Sequence, residues 1–142
     1  VQARCGAAVW FGSRSLRVLL DTHILVWALA DSPRLPAPAR AVLADPDNEC
    51  WVSSASLWEI AIKSALGKFE LGQPLAAIEN AAISAGFRTL DITWRHAAAV
   101  HDVALRHGDP FDRLLLAQCE VETLRLLTAD KVLLKQAVAV RR

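Results

Sequence analysis

Arg17-Val18-Leu19-Leu20-Asp21-Thr22-His23-Ile24-Leu25-Val26-Trp27 contains an apolar run that closes on an acid and passes directly into helix-compatible sequence. The run shows no polar alternation, which reads as a short strand covered on both faces. From Thr22 to Ala30, the residues Ile24, Leu25, Trp27 and Ala28 gather on one side of a helix. A doubly covered strand followed at once by a helix is the repeating unit of a parallel α/β sheet.

The same alternation recurs along the chain. A short helix is expected from Pro38 to Ala44, after the turn region around Ser32-Pro33 and Pro36-Ala37-Pro38. Cys50-Trp51-Val52 is the second strand, and Leu57 to Leu66 the next helix, stopped by Gly67. Pro74 to Ala85 reads as helix, Phe87 to Leu90 as strand and Trp94 to Arg106 as helix. Pro110 to about Glu122 is helical, Leu124 to Leu127 is the fourth strand, and Lys131 to Ala137 is a last helix. Val138 to Val140 is a possible edge strand. The fold class expected is α/β, with a parallel sheet covered on both faces.

The 142 residues suffice for one domain with a real core, taken as residues 16–142. Residues 1–15 read as a non-native or disordered extension and carry no weight in the fold. At 54% hydrophobic residues the chain is rich in apolar surface, some of which suits a second chain. The net charge of +1 gives no global basic signal, so a nucleic-acid partner needs a local patch. Cys5, Cys50 and Cys119 are odd in number and far apart, which fits a reducing, cytoplasmic compartment rather than a disulfide framework. The apolar runs are too short to cross a bilayer.

Four acids, Asp21, Glu59, Asp112 and Asp130, each fall at the opening of a predicted helix. Asp21 and the segment Thr128 to Asp130 also lie just past strand ends, where α/β sheets bind their ligands. Two explanations compete. Asp109-Pro110-Phe111-Asp112 is a good helix start, Ser56-Leu57-Trp58-Glu59 fits a capping box, and Thr128 or Asp130 can cap the last helix. Glu59 and Lys63 also stand at ion-pair spacing. Yet a cap works equally well with Ser, Thr or Asn, whereas acids crowded at one rim repel one another unless a cation holds them. Oxygen-rich sites of this type select Mg²⁺ or Mn²⁺.

Four stretches resemble the ordered signatures of PIN domains. They are Leu19 to Trp27, Val52 to Lys63, His107 to Gln118, and Leu127-Thr128-Ala129-Asp130. Together they look like a VapC-type toxin of a bacterial toxin–antitoxin pair. The resemblance implies a three-layer α/β/α sandwich around a short parallel sheet and Mg²⁺- or Mn²⁺-dependent endoribonuclease activity. It implies that metal-activated water cleaves RNA phosphodiesters. By motif position Asp21, Glu59, Asp112 and Asp130 are the catalytic, metal-site acids, with Asp109 in support. Thr22, Ser53 and Thr128 are then hydroxyls that orient carboxylates. A cognate antitoxin and a homodimer are implied as partners. His23 departs from the family, which more often carries Asn there; a branch of VapC-like proteins shares the His.

Arg113 has two readings, a phosphate contact or a pair with an acid. His101 and His107 are expected at helix ends or on the surface rather than on metal, and Trp27, Trp58 and Trp94 in the core or an interface rather than stacked on bases. Two rivals remain. An aspartyl phosphotransferase using Asp21 wants a second acid where His23 stands. A catalytically inert partner-binding module has no need of the acids.

Overall fold

The computed structural model describes residues 15–104, 108–136 and 139–140. Four strands form one all-parallel sheet: β1 (Arg17–Leu20), β2 (Glu49–Ser53), β3 (Arg88–Leu90) and β4 (Arg125–Leu127), in the order β3-β2-β1-β4. The helices are α1 (Thr22–Leu29), α2 (Ala37–Ala44), α3 (Ser54–Ala65), α4 (Ile78–Ser84), α5 (Trp94–Ala99) and α6 (Pro110–Glu122). Central β1 aligns Leu19 with Trp51 on one side and Leu126 on the other.

Successive strand residues point to opposite faces, so β1 feeds two cores. Val18 and Leu20 join Cys50, Val52 and Leu127 beneath Ile24 and Leu25 of α1, Ala39 of α2, Ile60 of α3 and Ile78 and Ala82 of α4. Leu19 and Leu126 face the other way, against Leu114, Leu115, Leu116 and Cys119 of α6. Each fully buried aliphatic side chain contributes about 1.5–3 kcal/mol. Two cores on two faces make the expected three-layer α/β/α sandwich.

The chain steps from β1 to β2 to β3 in one direction, then returns through α5 and α6 to lay β4 on the far side of β1. Strand order therefore reverses between β1 and β4. A crevice opens outside the carboxyl ends of the strands at such a reversal. Asp21 follows β1 and Thr128 follows β4, so both stand at its mouth.

Several expected boundaries move. Helix α3 begins at Ser54 because the Ser53 hydroxyl accepts the Ala55 N–H at 2.9 Å. Glu59 therefore lies in the second turn and not at a helix opening, and the capping box at Ser56 does not form. The helix expected to run to Arg106 ends at Ala99 and tightens into a 3-10 turn at Val100–Asp102; Arg106 lies outside the described residues. The last helix is a single 3-10 turn, Leu133–Lys135. In place of an edge strand, Ala139 makes an isolated parallel bridge to Leu126, while Val138 lies outside the described residues. Of the N-terminal extension only Ser15 is described. Among the described residues, no helix is long and apolar enough to cross a membrane.

Candidate metal centre

Asp21 is locked from three directions. Its backbone N–H donates to the Leu127 carbonyl at 2.9 Å, tying the end of β1 to the end of β4. Its Oδ1 accepts the Thr22 N–H at 2.7 Å, and its Oδ2 accepts the Thr128 hydroxyl at 2.7 Å. The side chain is buried, and burial raises its pKa above the ordinary carboxylate value. The Thr128 and Thr22 hydrogen bonds and the charge of His23 pull it back down, while Glu59 pushes it up.

Glu59 projects inward from α3 and is buried. Its Oε1 accepts the Thr22 hydroxyl at 2.6 Å, and its Oε2 accepts from the Lys63 ammonium one turn later. The Thr22 oxygen also lies 3.0 Å from the Ser56 hydroxyl. Ser56 was not expected here, although it precedes Glu59 by three residues and so shares its helix face. Thr22 thus links α1 to α3 through a carboxylate.

Asp109 caps α6, accepting the N–H groups of Phe111 at 2.9 Å and Asp112 at 3.3 Å. Asp112 follows in the first turn and is buried. Its pKa is pushed up to about 7, first by burial, then by the charges of Asp109, Asp21, Glu59 and Asp130. Asp112 is thus the meeting point: every acid singled out in the sequence acts on it. Asp130 accepts the N–H groups of Val132 at 2.8 Å and Leu133 at 3.2 Å, while its own N–H donates to Thr128 Oγ1 at 3.0 Å. Asp21, Asp109 and Asp130 each cap a turn, and the charge of each also acts on Asp112.

One supporting residue acts elsewhere. Ser53 donates its one hydroxyl hydrogen to Gln118 at 2.6 Å, so it braces α6 instead of orienting a carboxylate. Arg113 donates to the Val100 carbonyl at 2.8 Å, holding the turn after α5. His101 is on the surface beside Asp102, and His107 lies outside the described residues. Trp27 packs on the core, but Trp94 is almost fully exposed and Trp58 half exposed, edge-on to Phe111.

Among the described residues, no three His, Cys, Asp or Glu side chains are arranged to close on an ion as they stand. The donor chemistry nevertheless fits a hard divalent cation. Every potential donor in the group is a carboxylate oxygen, and the elevated Asp112 marks negative charge that Lys63 offsets in part.

An α/β/α protein with acids gathered where its strand order reverses is the class that sheet and centre define. The family model for the PIN domain matches residues 18–139, and the chain belongs to that family. It is 33% identical over 117 residues to Ribonuclease VapC22 of Mycobacterium tuberculosis (strain ATCC 25618 / H37Rv), covering 80% of this chain and 87% of that protein. Two solved structures share its fold. One is VapBC2 from Rickettsia felis bound to a DNA fragment from the promoter (TM-score 0.62, 14% identity, 88% of this chain and 96% of that one). The other is a toxin–antitoxin complex from Klebsiella pneumoniae (TM-score 0.58, 17% identity, 87% and 96%).

Proposed function

We propose that this chain is a divalent-metal-dependent endoribonuclease and the toxin of a toxin–antitoxin pair. The carrying observation is buried Asp112, on which the charges of Asp21, Glu59, Asp109 and Asp130 converge. Asp21, Glu59, Asp112 and Asp130 hold the ion, Asp109 supports them, and Thr22 and Thr128 fix the directions of two carboxylates. When bound, Mg²⁺ or Mn²⁺ supplies an acidified water and neutralises charge on the phosphate. No protein nucleophile is required.

An antitoxin partner is supported by an apolar groove of roughly 420 Å³, lined by Pro36, Pro38, Val42, Leu127 and Leu134, that reaches Thr128 at the rim of the centre. A basic antitoxin side chain entering from the groove would meet the acids. A homodimer suits the outer face of α3, where Trp58, Ile62 and Leu66 form an exposed apolar stripe. Buried, free Cys50 and Cys119 suit a reducing, cytoplasmic setting.

The test is cleavage of short RNAs with Mg²⁺, Mn²⁺ or EDTA, using wild type, Asp21→Asn and Asp112→Asn. Metal-dependent cleavage lost in both variants, with circular dichroism unchanged, is the expected result. Full activity in EDTA, or in both variants, rejects the assignment. An inert binding module predicts no cleavage and no response to metal in any of them.

A further inference from the structure

Lys63 is a basic side chain bound to the acidic group. Its ammonium contacts Glu59 Oε2 and feels the charges of Asp109 and Asp112 as well. It stands on the same helix as Glu59, one turn away, with its side chain 31% exposed against 5% for its partner. The centroid of the Phe69 ring lies 5.9 Å from the ammonium. Both Glu59 oxygens are engaged, one by the buried Thr22 hydroxyl and one by Lys63.

A divalent ion that takes Glu59 as a ligand repels an ammonium at hydrogen-bond distance from the same carboxylate. One of the two partners must therefore yield. Thr22 is buried and fixed on α1, and its neutral hydroxyl can stay while its oxygen acceptor keeps a free lone pair. Lys63 carries the charge, reaches solvent and swings on a flexible stem.

We infer that Lys63 is a built-in counter-ion that occupies the centre through Glu59 and is displaced when the divalent metal enters. The inference rests on the metal-centre reading of the site. Lys63 is in these terms a positioning residue, acting on the metal through Glu59. Once displaced, its ammonium is held near the mouth by the Phe69 ring, where a phosphate of the substrate can receive it.

The experiment is calorimetric titration of the full chain with Mn²⁺, without RNA, for wild type, Lys63→Gln, Glu59→Gln and the double variant, with thermal melts as a folding control. Removing the competing charge should make Lys63→Gln bind Mn²⁺ at least about threefold more tightly than wild type, the scale of a partly exposed ion pair. In the Glu59→Gln background the same substitution should leave Mn²⁺ affinity unchanged. A purely structural Lys63, needed to hold Glu59 in place, predicts weaker binding in Lys63→Gln. Equal or weaker binding in that variant, while wild type binds, overturns the counter-ion role and leaves the metal centre standing. Should wild type and all variants fail to bind Mn²⁺, the metal centre itself falls and the counter-ion role with it.

Discussion

The Thr128 hydroxyl donates to Asp21 Oδ2 at 2.7 Å across 107 residues of sequence. Thr128 Oγ1 in turn accepts the Asp130 N–H at 3.0 Å, so one side chain fixes two acids that lie far apart in the sequence. It does so at the point where strand order reverses.

Thr128→Val keeps the shape and removes both contacts. It should cost about 1–2 kcal/mol in stability, as a buried hydrogen-bonded hydroxyl does. RNA cleavage should fall about tenfold or more, the usual effect of freeing an oriented metal ligand. Urea midpoints and turnover on one RNA check the two effects separately. Unchanged turnover would show that the Asp21 rotamer needs no such support.

Asp112 makes the metal-free protein pH-sensitive. Its folded pKa of about 7 exceeds the ordinary 3.8, so the folded state holds this proton more tightly than the unfolded chain. The resulting stability is fully present below about pH 4 and is lost as pH rises to about 7, by up to a few kcal/mol. Asp112→Asn lacks that loss. In EDTA the variant should gain melting temperature over wild type progressively across this window, and saturating Mn²⁺ should reverse the order at pH 8. A difference that is flat with pH would contradict the charge convergence on Asp112.

Gln118→Leu tests the brace behind the centre. Gln118 is fully buried, accepts from Ser53 at 2.6 Å and lies 3.3 Å from His96 Nδ1. Nδ1 also accepts the Thr93 N–H, so Nε2 carries the hydrogen that reaches Glu122 at 2.7 Å. Loss of the amide leaves buried polar groups short of partners and should cost about 1–3 kcal/mol. A denaturation midpoint equal to wild type would mean that the neighbours find other partners.

Leu126→Ala probes the sheet. Leu126 is fully buried on β4, beside Leu19 and against α6. The loss should be about 2–5 kcal/mol, seen as a lower urea midpoint at unchanged slope. A loss below about 1 kcal/mol would place the α6 packing elsewhere.

The strands and the three-layer architecture were readable because unalternating runs such as Val18-Leu19-Leu20 admit few other solutions. Helix α6 was readable at both ends, since Asp109-Pro110 is an unambiguous start. The start of α3 was not. Ser53, Ser54 and Ser56 are all competent caps, and only packing chooses Ser53, which is what carries Glu59 into the second turn. Asp21, Asp112 and Asp130 were legible as acids at a strand end or a turn start, whereas Glu59 falls in the second turn of α3. Their supports were not, because the Thr22 bond to Glu59 spans 37 residues and that of Ser53 to Gln118 spans 65. Local periodicity says nothing about contacts at such range. Buried His96 was illegible for the same reason, since its partner Glu122 lies 26 residues away.

The tie between Asp21 and Thr128 has a consequence for the birth of the protein. Asp21 and Thr128 can meet only after β4 docks beside β1, so this corner of the acidic group assembles only once that strand is in place.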